Sequence, residues 1–196
     1  AKKLKLFHLA NQSSGLMPHA YTNLVEDVVS YNNMLNRLQQ VPFVCDPGAC
    51  YSYQNVAFSL LGDVLMQATG MPYAQFVEQR LFAPLNMQAA SVGRATDRID
   101  QLASAHVLRE DRWAVVPRNQ RYYKVAPAAG VNASIADMQQ WLLAHLGLID
   151  GVPHAPIAEL QSRYIANDPA DNHYPNDDRI SKAGYGLGWR VFAFSG

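Results

Sequence analysis

Tyr53, Gln54 and Asn55 stand between a Pro47-Gly48 pair and a strongly apolar stretch that begins at Val56. A phenol and a carboxamide two residues apart, at the mouth of a helix, can both reach one cleft. The phenol ionises at about pH 10 and is a poor base in water, but adjacent cations or a hydrogen-bonded relay through an amine let it shuttle a proton. Asparagine offers a donor and an acceptor without charge. The same residues have a plainer use, in which Asn55 caps the following helix and Tyr53 packs beside it. From these residues alone both readings stand.

Cys45 and Cys50, the only cysteines, flank Asp46-Pro47-Gly48-Ala49. Proline presets its own φ and glycine accepts a positive one, so the pair suits a tight turn that would bring the two sulfurs together. A bridge there points to an oxidising compartment, periplasmic or extracellular; the alternative is two reduced thiols in a cytosolic protein. No second Cys or His pair has ligand spacing, so neither a metal nor a cofactor is expected.

Helices must position these groups. Val25, Val28, Val29, Leu35 and Leu38 fall at helical spacing and predict one amphipathic helix from Thr22 to Leu38. Asn55 opens a second, with Val56, Leu60, Leu61, Val64, Leu65 and Ala68 inward and Gly70 as its stop. Met71-Pro72 starts a shorter one with Phe76, Val77 and Leu81 inward, ended by Pro84. His106–Leu108 and Trp113–Val116 read as short strands around a charged turn. Ser134 with Asp137 makes a capping box, and Ile135, Met138, Trp141, Leu142 and Leu146 share one face of a helix that stops at Gly147. A brief helix is expected at Ile157–Ile165 inside a long surface excursion from Asp150 to Gly184. Trp189 to Phe194 alternates like a strand, and with no partner in sight the rest of its sheet is expected outside this sequence.

The bulk numbers remove other classes. With 196 residues and 49% hydrophobic composition the chain can bury a core. A formal charge of zero with scattered basic residues gives no surface for nucleic acid. No apolar run is long enough for a bilayer, and no leader opens the chain. His8 and His145 are expected to pack or face solvent. His106, His154 and His173 lie in polar or loop contexts, and Trp141 and Tyr73 are core candidates.

Ordered landmarks now point to a family. "PGACYSYQNVAFSLLGDVLMQATGMPYAQFVEQRLFAPLNM" (Pro47 to Met87) resembles the Tyr-x-Asn segment of class C β-lactamases and related penicillin-binding-protein-like serine hydrolases. "LKLFHLANQSSGL" (Leu4 to Leu16) resembles the family's Thr-x-x-His-Leu-Leu-Thr-His-Thr-Ser-Gly-Leu stretch. "AAGVNASIADMQQWLLAHL" (Ala128 to Leu146) resembles its glycine-containing turn and Asp-Met-x-x-Trp helix, and "YGLGW" (Tyr185 to Trp189) its next landmark.

The resemblance implies a mainly α fragment of an α+β β-lactamase or penicillin-binding-protein-like (DD-peptidase) fold, a helical lobe with the flanking sheet mostly missing. It implies one domain over residues 1–196, incomplete at both ends: a helical lobe to about residue 150, then an excursion and a first returning strand over 151–196. By the same resemblance Tyr53 helps activate a serine hydroxyl, Asn55 grips a substrate carbonyl or side chain, and Gln54, at the variable middle position, lines the substrate site. Substrates would be small esters, amides or β-lactams, or cell-wall peptides. The partner would be the missing part of the same fold.

The departures are informative. No serine here is followed by lysine three residues on, so the family's Ser-x-x-Lys nucleophile is absent. Lys182-Ala183-Gly184 mimics the family's Lys-Thr-Gly strand but precedes the Tyr185–Trp189 landmark, and is expected to be a loop coincidence. Gly-x-Ser-x-Gly does not occur either. Ala129 stands before Gly130 where class C enzymes usually have tyrosine, which favours an esterase or peptidase relative over β-lactam turnover. The expected function is therefore acyl transfer by a parent enzyme through an acyl-serine, with the 196 residues alone inactive. A non-catalytic helical binding module of the same ancestry is the alternative.

Overall fold

The computed structural model describes residues 3–93, 99–150, 154–167 and 179–194. Helices α1 (Leu6–Ala10), α2 (Thr22–Glu26) and α3 (Tyr31–Leu38) lead into the long α4 (Asn55–Thr69), and α5 (Tyr73–Val77) continues into a π-helical turn at Glu78–Phe82. Next come β1 (Ser91–Val92), β2 (Ala105–Arg109), β3 (Arg112–Val116), a 3₁₀ turn at Arg121–Val125, α6 (Ala126–Ala129) and β4 (Val131–Asn132). α7 (Ile135–His145), α8 (His154–Leu160), β5 (Ile165–Ala166), β6 (Ile180–Tyr185) and β7 (Arg190–Phe194) complete the order.

The stretch from Thr22 to Leu38 is two helices, not one. Asp27 takes up extended backbone, and Ser30 starts the second helix by accepting the Asn33 N–H on its side chain. A good N-cap residue in mid-pattern overrides the apolar periodicity. Val28, expected inward, is 94% exposed in the break.

α4 begins at Asn55 and ends at Gly70 as expected. Its N-terminal half is the buried half. Val56, Ala57, Ser59 and Gly62 are covered, whereas Val64 and Ala68 face solvent. Gly62 is where α6 crosses: a Cβ there would sit 2.5 Å from Cγ of Pro127. One core groups Leu24, Val25, Met34, Val56 and Val125, and another joins Leu9, Leu16, Val41 and Ala57 beneath the start of α4.

Further on, the π turn rotates the apolar face. Its wider turn exposes Leu81, expected inward, and buries Phe82 in a third core with Val77, Leu85, Met87 and Ala144. β2 and β3 form the expected hairpin, and Glu110 and Asp111 at its tip both take positive φ. α7 keeps its capping box, but its apolar stripe is not core. Ile135 is 89% exposed, with Met138, Leu142 and Leu146 also outward, while Asp137, Ala144 and His145 are buried. Among the described residues nothing covers that stripe.

The end of the chain corrects two expectations. β7 has a partner within the chain: it pairs antiparallel with β6, and β5 lies on β6's other edge. Lys182-Ala183-Gly184 belongs to β6 and not to a loop, with Lys182 at φ 50° where the register shifts. The brief helix lies at His154–Leu160, earlier than expected, and Ile165 belongs to β5. His173 and part of the surface excursion lie outside the described residues.

Candidate active site

A run of buried polar residues forms the floor of the site. Asn11, Gln12, Ser13 and Ser14 are all covered, and burying such groups is costly unless they are paired. Ser13 Oγ donates to Asn11 Oδ1 at 2.6 Å. Gln12 takes φ 57° and accepts twice: its backbone oxygen from the Ser52 N–H at 2.7 Å, its side-chain oxygen from the Gln54 N–H at 2.8 Å.

The Cys45–Cys50 loop lies over this floor. The structure joins the two cysteines, so the bridged reading of the pair is the one it contains. The Val44 N–H donates to the Gly15 oxygen and the Gly48 N–H to the Ser13 oxygen, both at 2.8 Å. Only glycine fits at position 15, because φ is 77° and a Cβ would lie 2.3 Å from the Cys45 oxygen. The loop therefore delivers the chain into Tyr51 at a fixed height above Ser13–Gly15.

From there alternate side chains turn in and out. Ser52 is buried and its hydroxyl donates to the Leu16 oxygen. Gln54 is only 1% exposed; its amide nitrogen donates to the Ala20 oxygen at 2.9 Å and its amide oxygen accepts the Val56 N–H at 2.8 Å. Gln54 is thus the N-cap of α4, the role Asn55 was a candidate for. This corrects the expectation that Gln54 lines a substrate site, since its amide is sealed inside and both its ends are engaged.

Tyr53 and Asn55 flank that cap and are half-buried. Among the described residues no donor or acceptor reaches the Tyr53 hydroxyl or the Asn55 carboxamide. Rings hold the phenol instead. His19 lies 5.5 Å from it between centroids at a 33° tilt, and Tyr185 meets it edge-on at 6.3 Å and 77°. Tyr185, at the end of β6, also packs on Tyr51 at 5.5 Å. Burial, and then the neighbouring phenols of Tyr53 and Tyr51, push the Tyr185 hydroxyl well above the usual tyrosine range; Arg190 and a hydrogen bond with Gln12 pull the other way.

Sequence reasoning missed His19 and Gln12. Gln12 lies within the Leu4–Leu16 landmark without a role of its own there and His19 lies in none, and their shared mark is a left-handed backbone that only the folded chain reveals. Tyr185 was legible only as part of a landmark. Among the described residues no group of three His, Cys, Asp or Glu could hold a metal, and no helix is long and apolar enough to cross a membrane. Clefts of about 640 and 600 Å³ lie elsewhere, one beside Tyr123, Asn132 and Ser134, the other beside Trp141, His145 and Trp189.

A family model described as Beta-lactamase matches residues 1–196. The D-alanyl-D-alanine-carboxypeptidase/endopeptidase AmpH of Escherichia coli (strain K12) is 32% identical over 100 residues, covering 51% of this chain and 24% of that protein. Among solved structures, EstCE1, described as a hydrolase with promiscuous acyltransferase activity, superposes with a TM-score of 0.74 at 20% identity, covering 97% of this chain and 56% of its own. The octameric penicillin-binding protein homologue from Pyrococcus abyssi gives 0.73 at 19%, covering 93% and 42%. At these identities the solved structures establish the fold. The matched part is between a quarter and a little over half of each of these proteins.

Proposed function

The chain belongs to the beta-lactamase family, matched by that family's model from residue 1 to 196, and from that premise we propose that it is the Tyr53-bearing part of a serine acyl-hydrolase. The observation that carries this reading is the alternation at the mouth of α4. Gln54 supplies the cap, which leaves Tyr53 and Asn55, on either side of it in sequence, with unengaged polar ends. Were Asn55 the cap, its carboxamide would be engaged by an N–H of the first turn of α4, and that N–H goes to Gln54 instead.

In this reading a serine hydroxyl from another part of the polypeptide attacks the substrate carbonyl. Tyr53 relays the proton, its phenol oxygen taking the serine proton as the phenol passes its own to the leaving group and the acyl-serine forms; water then releases the acid. Asn55 orients the acyl side by donating and accepting with the substrate amide. Lacking a Ser-x-x-Lys, the 196 residues by themselves turn over nothing. Ala129 is small and exposed, so it gives no aromatic wall, which favours esters and D-amino-acid peptides over β-lactams. The bridged cysteines fit the periplasm or an extracellular setting.

The test is acylation of the intact enzyme by an activated ester. Tyr53→Phe is expected to slow acylation by roughly a hundredfold or more, the range for loss of a general acid/base. Asn55→Ala is expected to act mainly on D-amino-acid peptide substrates. An intact protein in which no serine is acylated, with Tyr53→Phe indistinguishable from the parent, would establish a binding module instead.

A further inference from the structure

We propose that His19 is a positioning residue for Tyr53, the exposed half of an aromatic clamp whose inner half is Tyr185. The inference rests on the acyl-transfer reading of Tyr53 and adds a residue to it.

Three independent observations converge on His19. Its ring lies against the phenol at 5.5 Å with a 33° tilt, while Tyr185 meets the same ring edge-on at 6.3 Å. Its backbone N–H donates to the Tyr53 oxygen at 2.8 Å, so the two residues are joined by main chain as well as by rings. Finally, it takes φ 56°, a left-handed conformation uncommon for a residue with a Cβ. Tyr21 repeats this at φ 64°. The turn from Met17 to Thr22 thus holds two such residues, one on either side of Ala20, and its outcome is a ring laid against Tyr53. The Thr22 N–H and hydroxyl both donate to the His19 oxygen, which fixes the turn from the far side.

The clamp answers a need that the hydrogen bonds leave open. Tyr53 has no hydroxyl partner among the described residues, so nothing polar fixes its side-chain torsion. A proton donor or acceptor must sit within hydrogen-bond reach of the reacting oxygen, and a small misplacement is expensive in rate. Contacts with the rings of His19 and Tyr185 orient the phenol while leaving its oxygen unengaged. Because the work is done by the ring, the imidazole nitrogens are dispensable.

Two substitutions in the intact enzyme separate ring from nitrogen. His19→Asn keeps a residue type at ease with positive φ and removes the ring; His19→Phe keeps a ring and removes the nitrogens. Tyr21 shows that this turn tolerates an aromatic at positive φ. His19→Asn is expected to lower kcat for an activated ester by about tenfold with KM within about twofold, and His19→Phe to stay within about threefold of the parent, as expected for misorientation rather than lost binding. A fluorotyrosine at position 53 gives a second readout: its ¹⁹F line is expected to shift and broaden in His19→Asn and to hold in His19→Phe. An unchanged kcat and ¹⁹F line in His19→Asn overturns the clamp, as does His19→Phe being as slow as His19→Asn. If Tyr53→Phe itself is fully active, the acyl-transfer reading fails, and the ¹⁹F line alone then decides whether His19 orients the phenol.

Discussion

Gln12 accepts the backbone N–H of Gln54 on its side-chain oxygen at 2.8 Å, tying two stretches 42 residues apart in sequence. Gln54 in turn caps α4 and holds the Ala20 oxygen, so one amide links the floor of the site, the His19 turn and the helix that carries Asn55. Gln54→Ala removes a cap and leaves a buried carbonyl unpaired, and is expected to cost about 2–3 kcal/mol. Asn55→Ala, one residue on, is expected to stay within about 0.5 kcal/mol of the parent. Urea midpoints compared at unchanged m-value measure both. The reverse ranking would return the cap to Asn55.

The Cys45–Cys50 bridge closes a short loop over Ser13–Gly15. The chain-entropy model gives such a loop about 2 kcal/mol of stabilisation. The Cys45→Ser/Cys50→Ser pair is expected to lose that amount in a urea titration. Intact mass with alkylation before and after reduction reports the bridge itself: no alkylation before, two additions after.

How much of this was legible beforehand differs by element, for physical reasons. α4, the hairpin β2–β3 and the start of α7 were readable because their signals are local: a glycine stop, a charged turn, a Ser134–Asp137 box. The break at Asp27–Ser30 was readable in principle from Ser30, but five apolar positions outweighed one cap. Nothing in sequence foretold that the stripe on α7 would face outward, because periodicity finds a face and not what the face meets. The same gap hid Gln12 and His19, whose roles arise from contacts across tens of residues. Gln54 was expected at a substrate site, and its burial with both ends of the amide engaged is legible only in the folded chain.

Lys124 shows how the 3₁₀ turn before α6 is anchored. Its ammonium donates to the carbonyl oxygens of Leu24, Asp27 and Val29, at the end of α2, where a cation also meets the helix dipole favourably. The neighbouring Tyr122 hydroxyl donates to Glu26 Oε1 at 2.9 Å. Lys124→Met keeps the aliphatic stem and loses all three donors, at an expected cost of about 2 kcal/mol after allowing for water reaching these half-covered carbonyls. Thermal unfolding with and without about 1 M salt tests the mechanism: bonds to carbonyls should be little screened, so the deficit is expected to persist.

Tyr185 gives the fold an alkaline limit. Its phenol is held above the usual tyrosine range, first by burial and then by Tyr53 and Tyr51, so the folded chain keeps a proton that the unfolded chain releases at about pH 10. Below that pH both states are protonated and the full stability is present. Above it the unfolded state binds fewer protons than the folded state, and stability falls as pH rises towards the raised folded value, by at most about 1.4 kcal/mol per pH unit for one phenol. Tyr31, raised by burial and by its bond to Asp63, acts in the same direction over the same window. Tyr185→Phe keeps the ring packed on Tyr51 and Tyr53 and removes only the hydroxyl. Its stability should then fall less steeply than the parent's between about pH 10 and about pH 11.5, because one of the raised phenols that drive the loss is gone, with those of Tyr31, Tyr73 and Tyr122 remaining. Urea midpoints across that range decide the matter: two parallel curves would mean that the Tyr185 hydroxyl is not among the groups whose ionisation lowers the stability.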